Sequence, residues 1–214
     1  APSSVVAIPS NSPSSVAIPS KASAGYVKPL PTLIVCPVSL IANWTGQIEE
    51  HVHENTLNVV TFVGTDRHSI FDAAAAADIV ICSYNTLAQD MPNDAEDETK
   101  PGQKRKALDK SIFDISFNRV ILDEAHVIRN PKTKMFKAVN LIKAERKLAI
   151  TGTPLQNKVD DIASLLKFLA VAPLNDASVF RRGITQPIRN GDEIGLATLR
   201  TVLSSIALRR TKES

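Results

Sequence analysis

The sequence predicts an α/β domain built on a parallel sheet with helices on both faces. Three observations carry this. Short, continuous apolar runs recur along the chain, as in strands buried on both faces. Stretches of helical periodicity lie between them, and strands alternating with helices build a parallel sheet. Several runs also close on polar residues able to do chemistry, and in such sheets the ligand crevice lies outside the carboxyl ends of the strands.

Thr32-Leu-Ile-Val-Cys36 is the first clear strand, closed by Pro37. Ser39 is placed to cap a helix that carries Leu40, Ile41, Trp44 and Ile48 on one face. Leu57 to Val63 reads as a second strand, and Asp66 to Ala77 as a short helix favoured by its alanine run. Asp78-Ile-Val-Ile-Cys82 is a third strand, ending at Ser83-Tyr84. Residues 90 to 110 form a long polar loop, acidic then basic, for which disorder is expected. Arg119-Val-Ile-Leu122 is the fourth strand. A helix is predicted from about Pro131 to Lys143, with Pro131 in its first turn. Arg146 to Ile150 is the fifth strand. Residues 158 to 171 form an amphipathic helix with Ile162, Leu165, Leu166 and Leu169 inward. Residues 195 to 208 form another, through Leu196, Leu199, Val202, Leu203 and Ile206.

Residues 1 to 31 differ in kind. They are rich in Pro, Ser and Ala and contain a near repeat, Ser3-Ser-Val-Val-Ala-Ile-Pro-Ser10 and Ser14-Ser-Val-Ala-Ile-Pro-Ser20. Such a stretch buries too little apolar surface to offset its ordering entropy, so a disordered segment is expected. The domain is expected to run from 32 to 214.

The remaining composition narrows the class. Of 214 residues, 43% are hydrophobic and 22% charged, which is ordinary for a globular domain. The formal net charge of +3 is too small to argue for nucleic acid. Two cysteines, Cys36 and Cys82, lie in apolar runs, so buried free thiols are expected rather than a disulfide framework or a zinc site. No apolar stretch approaches ~18 residues, so no helical membrane span is expected. The chain opens Ala-Pro-Ser with no initiator Met and no charged-then-apolar leader. It reads as part of a longer gene product, not as a secreted protein.

The most specific residues are Asp123-Glu-Ala-His126, at the end of the fourth strand. Asp123 would hold Mg²⁺ through its water shell, because that ion keeps several waters and takes few protein carboxylates. Glu124 would orient or deprotonate an attacking water. His126 is placed to report the state of the site to a neighbouring loop. The plain alternative is a surface acid pair at a strand-to-helix junction, with Asp123 as a cap. By average residue usage the tetrapeptide occurs by chance in roughly one chain per thousand of this size, which favours the site. No Gly-Lys-Ser or Gly-Lys-Thr occurs anywhere, so the phosphate-cradling loop that would complete a nucleotide site is missing.

Four motifs in order then carry a resemblance: Leu33-Ile-Val-Cys-Pro-Val-Ser-Leu-Ile-Ala-Asn-Trp44, Ile81-Cys-Ser-Tyr84, Asp123-Glu-Ala-His-Val-Ile-Arg-Asn130 and Thr151-Gly-Thr-Pro-Leu-Gln-Asn157. Together they resemble the first RecA-like lobe of the Swi/Snf-type ATPases, double-stranded DNA translocases related to helicases. Phe180 to Ile188, Gly191 to Leu196 and Ile206 to Lys212 look like the helicase-like transcription factor branch, which includes yeast post-replication repair translocases.

The resemblance implies a P-loop NTPase lobe, incomplete because the phosphate-loop strand and helix are lacking. It implies ATP and Mg²⁺ as cofactors, double-stranded DNA and a second RecA-like lobe as partners, chromatin or replication-fork proteins beyond them, and a nuclear location. Pro37, Ser39, Ser83 and Tyr84 would contact the DNA backbone, with Trp44 packed beneath the first turn. Thr151, Gly152, Thr153 and Gln156 would couple nucleotide state to DNA and to the second lobe. Arg209 and Arg210 would belong to the protrusion or to the junction leading to that lobe. Two further readings stand beside the motor: a non-catalytic DNA- or protein-binding remnant, and an RNA helicase of the Asp-Glu-Ala-His type, which Thr151-Gly-Thr-Pro and Arg209-Arg-Thr-Lys212 disfavour.

Overall fold

The computed structural model describes residues 4–8, 29–64, 67–92, 110–152 and 159–209. Five strands form the parallel core: β2 (Thr32–Cys36), β3 (Val59–Phe62), β4 (Ile79–Ser83), β5 (Ser116–Leu122) and β6 (Lys143–Thr151). Their spatial order is β3-β4-β2-β5-β6. In the centre, Leu33 of β2 lies between Val80 and Val120, and Ile34 between Ile81 and Ile121.

The continuous apolar character of β2 has a direct consequence. Successive side chains of a strand point to opposite faces. Leu33 and Val35 join one buried cluster, and Ile34 and Cys36 another. Helix α1 (Ile41–His51) covers the second face through Ile41, Trp44 and Ile48. The first face is covered by α3 (Tyr84–Asp90), α4 (Lys134–Leu141) and α5 (Asp160–Phe168), through residues such as Leu87, Phe136 and Phe168. Each such side chain, fully buried, contributes about 1.5–3 kcal/mol. A short helix, α2 (Phe71–Ala76), precedes β4.

Helix α5 joins this sheet to a helical layer. Leu165, Phe168 and Leu169 face the sheet, while Ile162 and Leu166 pack with Leu174, Phe180, Ile184 and Leu199. The layer contains α6 (Ala177–Phe180), a π-helical segment (Arg181–Thr185), α7 (Gln186–Arg189) and α8 (Glu193–Ile206). All four inward residues predicted for α5 are buried.

Several expectations are corrected. Residues 4 to 8, predicted to lie in a disordered segment, form strand β1 (Ser4–Ile8), antiparallel between β6 and a terminal strand β7 (Ala207–Arg209). A composition averaged over 31 residues hides the short run Val5-Val-Ala-Ile8, and β6 offers it a row of backbone groups to pair with. Residues 9 to 28, and the polar stretch from 93 to 109, lie outside the described residues.

Ser39 does not cap α1. It sits within a 3₁₀ turn, Val38–Leu40, that runs into the helix. The helix after β5 begins at Lys134, because Thr133 accepts a hydrogen bond from Phe136 N and so supplies the cap that Pro131 lacks. The last helix ends at Ile206, and residues 207 and 208 turn into β7. Its apolar stripe is also rotated: Leu196 is 41% exposed, and buried Gly195 takes the inward place.

Helix α3 has no counterpart among the predicted elements. Ser83 caps it, accepting a hydrogen bond from Thr86 N. At its far end buried Asp90 accepts hydrogen bonds from Ser111 Oγ at 2.7 Å and Ile112 N at 3.0 Å. Those bonds tie the end of α3 to the Ser111–Ile112 backbone beside the core.

Gly195 gives the layer a test. A Cβ there would lie 2.9 Å from the Ile184 carbonyl oxygen and 2.9 Å from Pro187 Cβ. Such overpacking costs about 1–3 kcal/mol, more than the about 1 kcal/mol that alanine gains over glycine in a helix. Gly195→Ala should therefore lower the unfolding free energy, read from a urea titration. An unchanged or raised midpoint would contradict the packing described.

Candidate active site at the carboxyl ends of the central strands

Parallel pairing brings the carboxyl ends of β2, β4, β5 and β6 to one edge. Cys36 is paired with Ser83, and Leu122 with Val35 and Ala149. Asp123 continues the ladder one step, its N–H donating to Val35 O at 2.8 Å. The acid pair thus leaves the sheet at a point set by backbone hydrogen bonds, not by a loose loop.

Asp123 is held on three sides. Trp44 Nε1 donates to Oδ2 at 2.9 Å, Glu124 N donates to Oδ1 at 2.9 Å, and Tyr84 Oη donates to the Asp123 carbonyl at 2.8 Å. Each carboxylate oxygen therefore takes one of these hydrogen bonds and keeps acceptor capacity. Glu124 adopts the left-handed region, at φ 51° and ψ 48°. Such a conformation costs a non-glycine residue of order 1–3 kcal/mol, and residues of this kind cluster at functional sites. The following turn, Ala125–Ile128, is 3₁₀, with Ala125 and Ile128 buried as anchors.

The Glu124 carboxylate is half open to solvent. Its Oε2 lies 3.1 Å from His126 Nδ1, which is buried without a well-aligned hydrogen bond. This contact becomes an ion pair when the imidazole is protonated. Asp123 and Glu124 fit a hydrated Mg²⁺, which needs only one or two carboxylates. Among the described residues no cluster of three or more His, Cys, Asp or Glu side chains forms a protein-only metal cage.

The other predicted residues divide. Pro37 and Ser39 stand at the surface beside Val38, which is 69% exposed. Ser83 and Tyr84, expected at a DNA backbone, are turned inward instead. Tyr84 is only 3% exposed with its hydroxyl on Asp123, and the Ser83 hydroxyl caps α3 and bonds Thr86 Oγ1 at 2.8 Å. In this arrangement both hydroxyls have partners within the protein. Thr151 ends β6 on the same edge as Asp123, and it is buried. Gly152 follows it, while Thr153, Gln156 and Arg210 lie outside the described residues; Arg209 closes β7.

Trp44 is the residue whose contact sequence reasoning missed. The sequence places it beneath the first turn, yet its indole reaches an acid 79 residues away. No spacing rule signals such a contact.

The thiols and the phenol behind the acids are kept neutral. Burial, and then the Asp123 charge, push Cys36 up to about 11 from an ordinary 9.0. Cys82 and Tyr84 are raised as well, in both cases mainly by burial. The unfolded chain releases these protons at lower pH than the folded one. The stability from this source is therefore full below about pH 9 and is lost as pH rises toward 11. The urea midpoint should fall across that window, and Cys36→Ala should make the fall shallower. A flat profile from pH 8 to 11 would contradict the burial of these groups.

Comparison with known proteins agrees with this geometry. The family model of the SNF2-related domain matches residues 10–214, a span that begins well before residue 32. The helicase-like transcription factor of Oryctolagus cuniculus is 39% identical over 188 residues, which is 87% of this chain and 17% of that protein. DNA repair protein RAD5A of Arabidopsis thaliana is 34% identical over 182 residues, 85% of this chain and 17% of its own length. Among solved structures, the Sulfolobus solfataricus SWI2/SNF2 ATPase core in complex with dsDNA matches with a TM-score of 0.67 and 31% identity, over 86% of this chain and 34% of that one. With its parallel sheet, its strand-end acids and these matches, the chain belongs to the SNF2-related family, in the helicase-like branch, and forms a RecA-like lobe.

Proposed function

We propose that this chain is part of the motor of an ATP-dependent double-stranded DNA translocase acting in DNA repair or chromatin remodelling. The observation that carries the reading is the acid pair at the end of β5, with Asp123 fixed by Trp44, Glu124 N and Tyr84. The names of the relatives support repair, and the dsDNA bound to the archaeal ATPase core supports the substrate. In this reading the protein works in the nucleus, on chromatin or at replication forks, and a second RecA-like lobe closes on this one.

Asp123 then holds Mg²⁺ through water, and Glu124 orients the attacking water and accepts its proton. A Mg²⁺ held there would supply charge neutralisation at the nucleotide phosphates. His126 stands against Glu124 and carries the state of that carboxylate to its surroundings. Thr151, Gly152, Thr153 and Gln156 couple the nucleotide to DNA, and the exposed turn at Pro37 and Ser39 meets the phosphate backbone. Such contacts position a duplex without reading its sequence.

The chain has the water-activating end of a nucleotide site and lacks a Gly-Lys-Ser/Thr cradle. That cradle supplies much of the charge stabilisation in phosphoryl transfer. Residues 1–214 alone should therefore show no appreciable ATP hydrolysis, with or without DNA. A DNA-stimulated turnover by the pure chain, abolished by Glu124→Gln, would overturn this. A second reading is a non-catalytic DNA- or protein-binding remnant of such a motor.

DNA binding by the chain should be weak, sequence-independent and steeply salt-sensitive, because backbone contacts act through counterion release. A random duplex should bind at least as well as the matching single strand when titrated at low and moderate salt. Tight, salt-resistant preference for single-stranded RNA would remove the translocase reading.

A further inference from the structure

The Trp44 indole N–H and the Glu124 backbone N–H occupy the two oxygens of one carboxylate, Oδ2 and Oδ1 of Asp123. Trp44 lies in the first turn of α1, and α1 continues without a break from the 3₁₀ turn Val38–Leu40. That turn is itself closed by Leu40 N donating to Pro37 O at 2.9 Å. The exposed surface at Val38 and Ser39 and the indole on Asp123 therefore belong to one short helical body. It is seated on Ile34, Cys36 and Ile81, with Trp44 packed against that cluster.

We propose that Trp44 is a positioning residue for the Asp123 carboxylate, and that through it a load on the Pro37–Leu40 turn is felt at the acid pair. The inference rests on the reading of that turn as a contact for duplex DNA. The chemistry is a lever of fixed length. If α1 tilts or slides, the indole N–H moves and Oδ2 must follow it or lose the bond. Rotation of the carboxylate then changes the hydrogen bond that Oδ1 accepts from Glu124 N. A hydrogen bond to a charged group is stronger than one between neutral partners, so the indole and the carboxylate move together. Asp123 would then present its open lone pairs to a metal-bound water in one orientation with the turn occupied and in another with it free.

Trp44 is the sole tryptophan of the chain, so one indole N–H resonance reports this bond in a nitrogen-15 spectrum of the 214-residue protein. In the wild type that resonance should exchange slowly with solvent. Asp123→Ala should move it and speed its exchange, while Asp123→Asn, which keeps an acceptor oxygen, should leave it nearer the wild-type position. An indole N–H that exchanges freely and ignores Asp123→Ala overturns the positioning role.

A random duplex should then shift the amides of Val38–Leu40 and, with them, the amide of Glu124. In Trp44→Phe, which keeps an aromatic ring and removes the donor, the duplex should still shift the turn but leave Glu124 largely unmoved. If the turn responds and Glu124 does not in the wild type, or responds equally in Trp44→Phe, the proposal fails and the duplex reading stands. If no turn amide responds, the duplex reading fails and takes the coupling with it, and the indole measurement still decides whether Trp44 holds Asp123. Unchanged β2 amides in each variant establish that the fold is retained.

Discussion

The position of β2 between β4 and β5 is the constraint on which the rest depends. It aligns three carboxyl ends, and those ends carry the turn at Pro37, the cap at Ser83 and the acid at Asp123. A strand with one polar face has its register dictated by burial, since a slip of one residue exposes its apolar set. β2 is apolar on both faces, so that discrimination is weak here. Polar bonds at the strand ends supply it instead: Asp123 N to Val35 O, Tyr84 Oη to Asp123 O, and Trp44 Nε1 to Asp123 Oδ2. The same bonds that hold the acid therefore also hold the sheet in register.

Around this centre the helices play unequal roles. α5 is buried on two sides and welds the sheet to the helical layer. Its Ser164 hydroxyl donates to Arg129 O at 2.7 Å, just beyond the Glu124–Ile128 turn, so the layer is tied to the segment that carries the site. On its other side Asp160 accepts from Thr185 Oγ1 at 2.8 Å and from Arg189 at 3.2 Å. The exposed pair with Arg189 contributes little to stability; the packing of Ile162 and Leu166 contributes more. The motif-bearing tail, Phe180 to Leu196, thus builds the layer that supports the site without touching the acids.

The site itself combines rigidity and openness. Asp123 is hydrogen-bonded at its backbone N–H and carbonyl and at each carboxylate oxygen. Glu124, the next residue, is strained in its backbone, and its half-open carboxylate touches only His126 among the contacts described. That division suits a pair in which one acid fixes an ion and the other meets a mobile water. β1, which enters antiparallel where the other core strands run parallel, occupies the strip between β6 and β7.

The sequence alone determined the elements whose signal is local. Thr32–Cys36, Ile79–Cys82 and Val120–Leu122 are legible because unbroken apolar runs admit few other conformations, and Ile162 to Leu169 because one face of a helix repeats every turn. The placement of Asp123-Glu124 at a strand end was legible too, since the apolar run stops at Leu122. Tertiary structure decided what rests on contacts distant in sequence. Tyr84 is buried and donates to Asp123 O, 39 residues on, a contact no local pattern signals. Gly195 replaced Leu196 in the stripe of α8, because only a residue without a side chain lets Ile184 and Pro187 approach. Ser4–Ile8 became a strand because β6 had an edge to satisfy, and Trp44 gained its acceptor because the parallel ladder carried Asp123 beneath α1. Periodicity reports which face of an element is apolar; which partner that face or edge meets is settled only when the chain closes on itself.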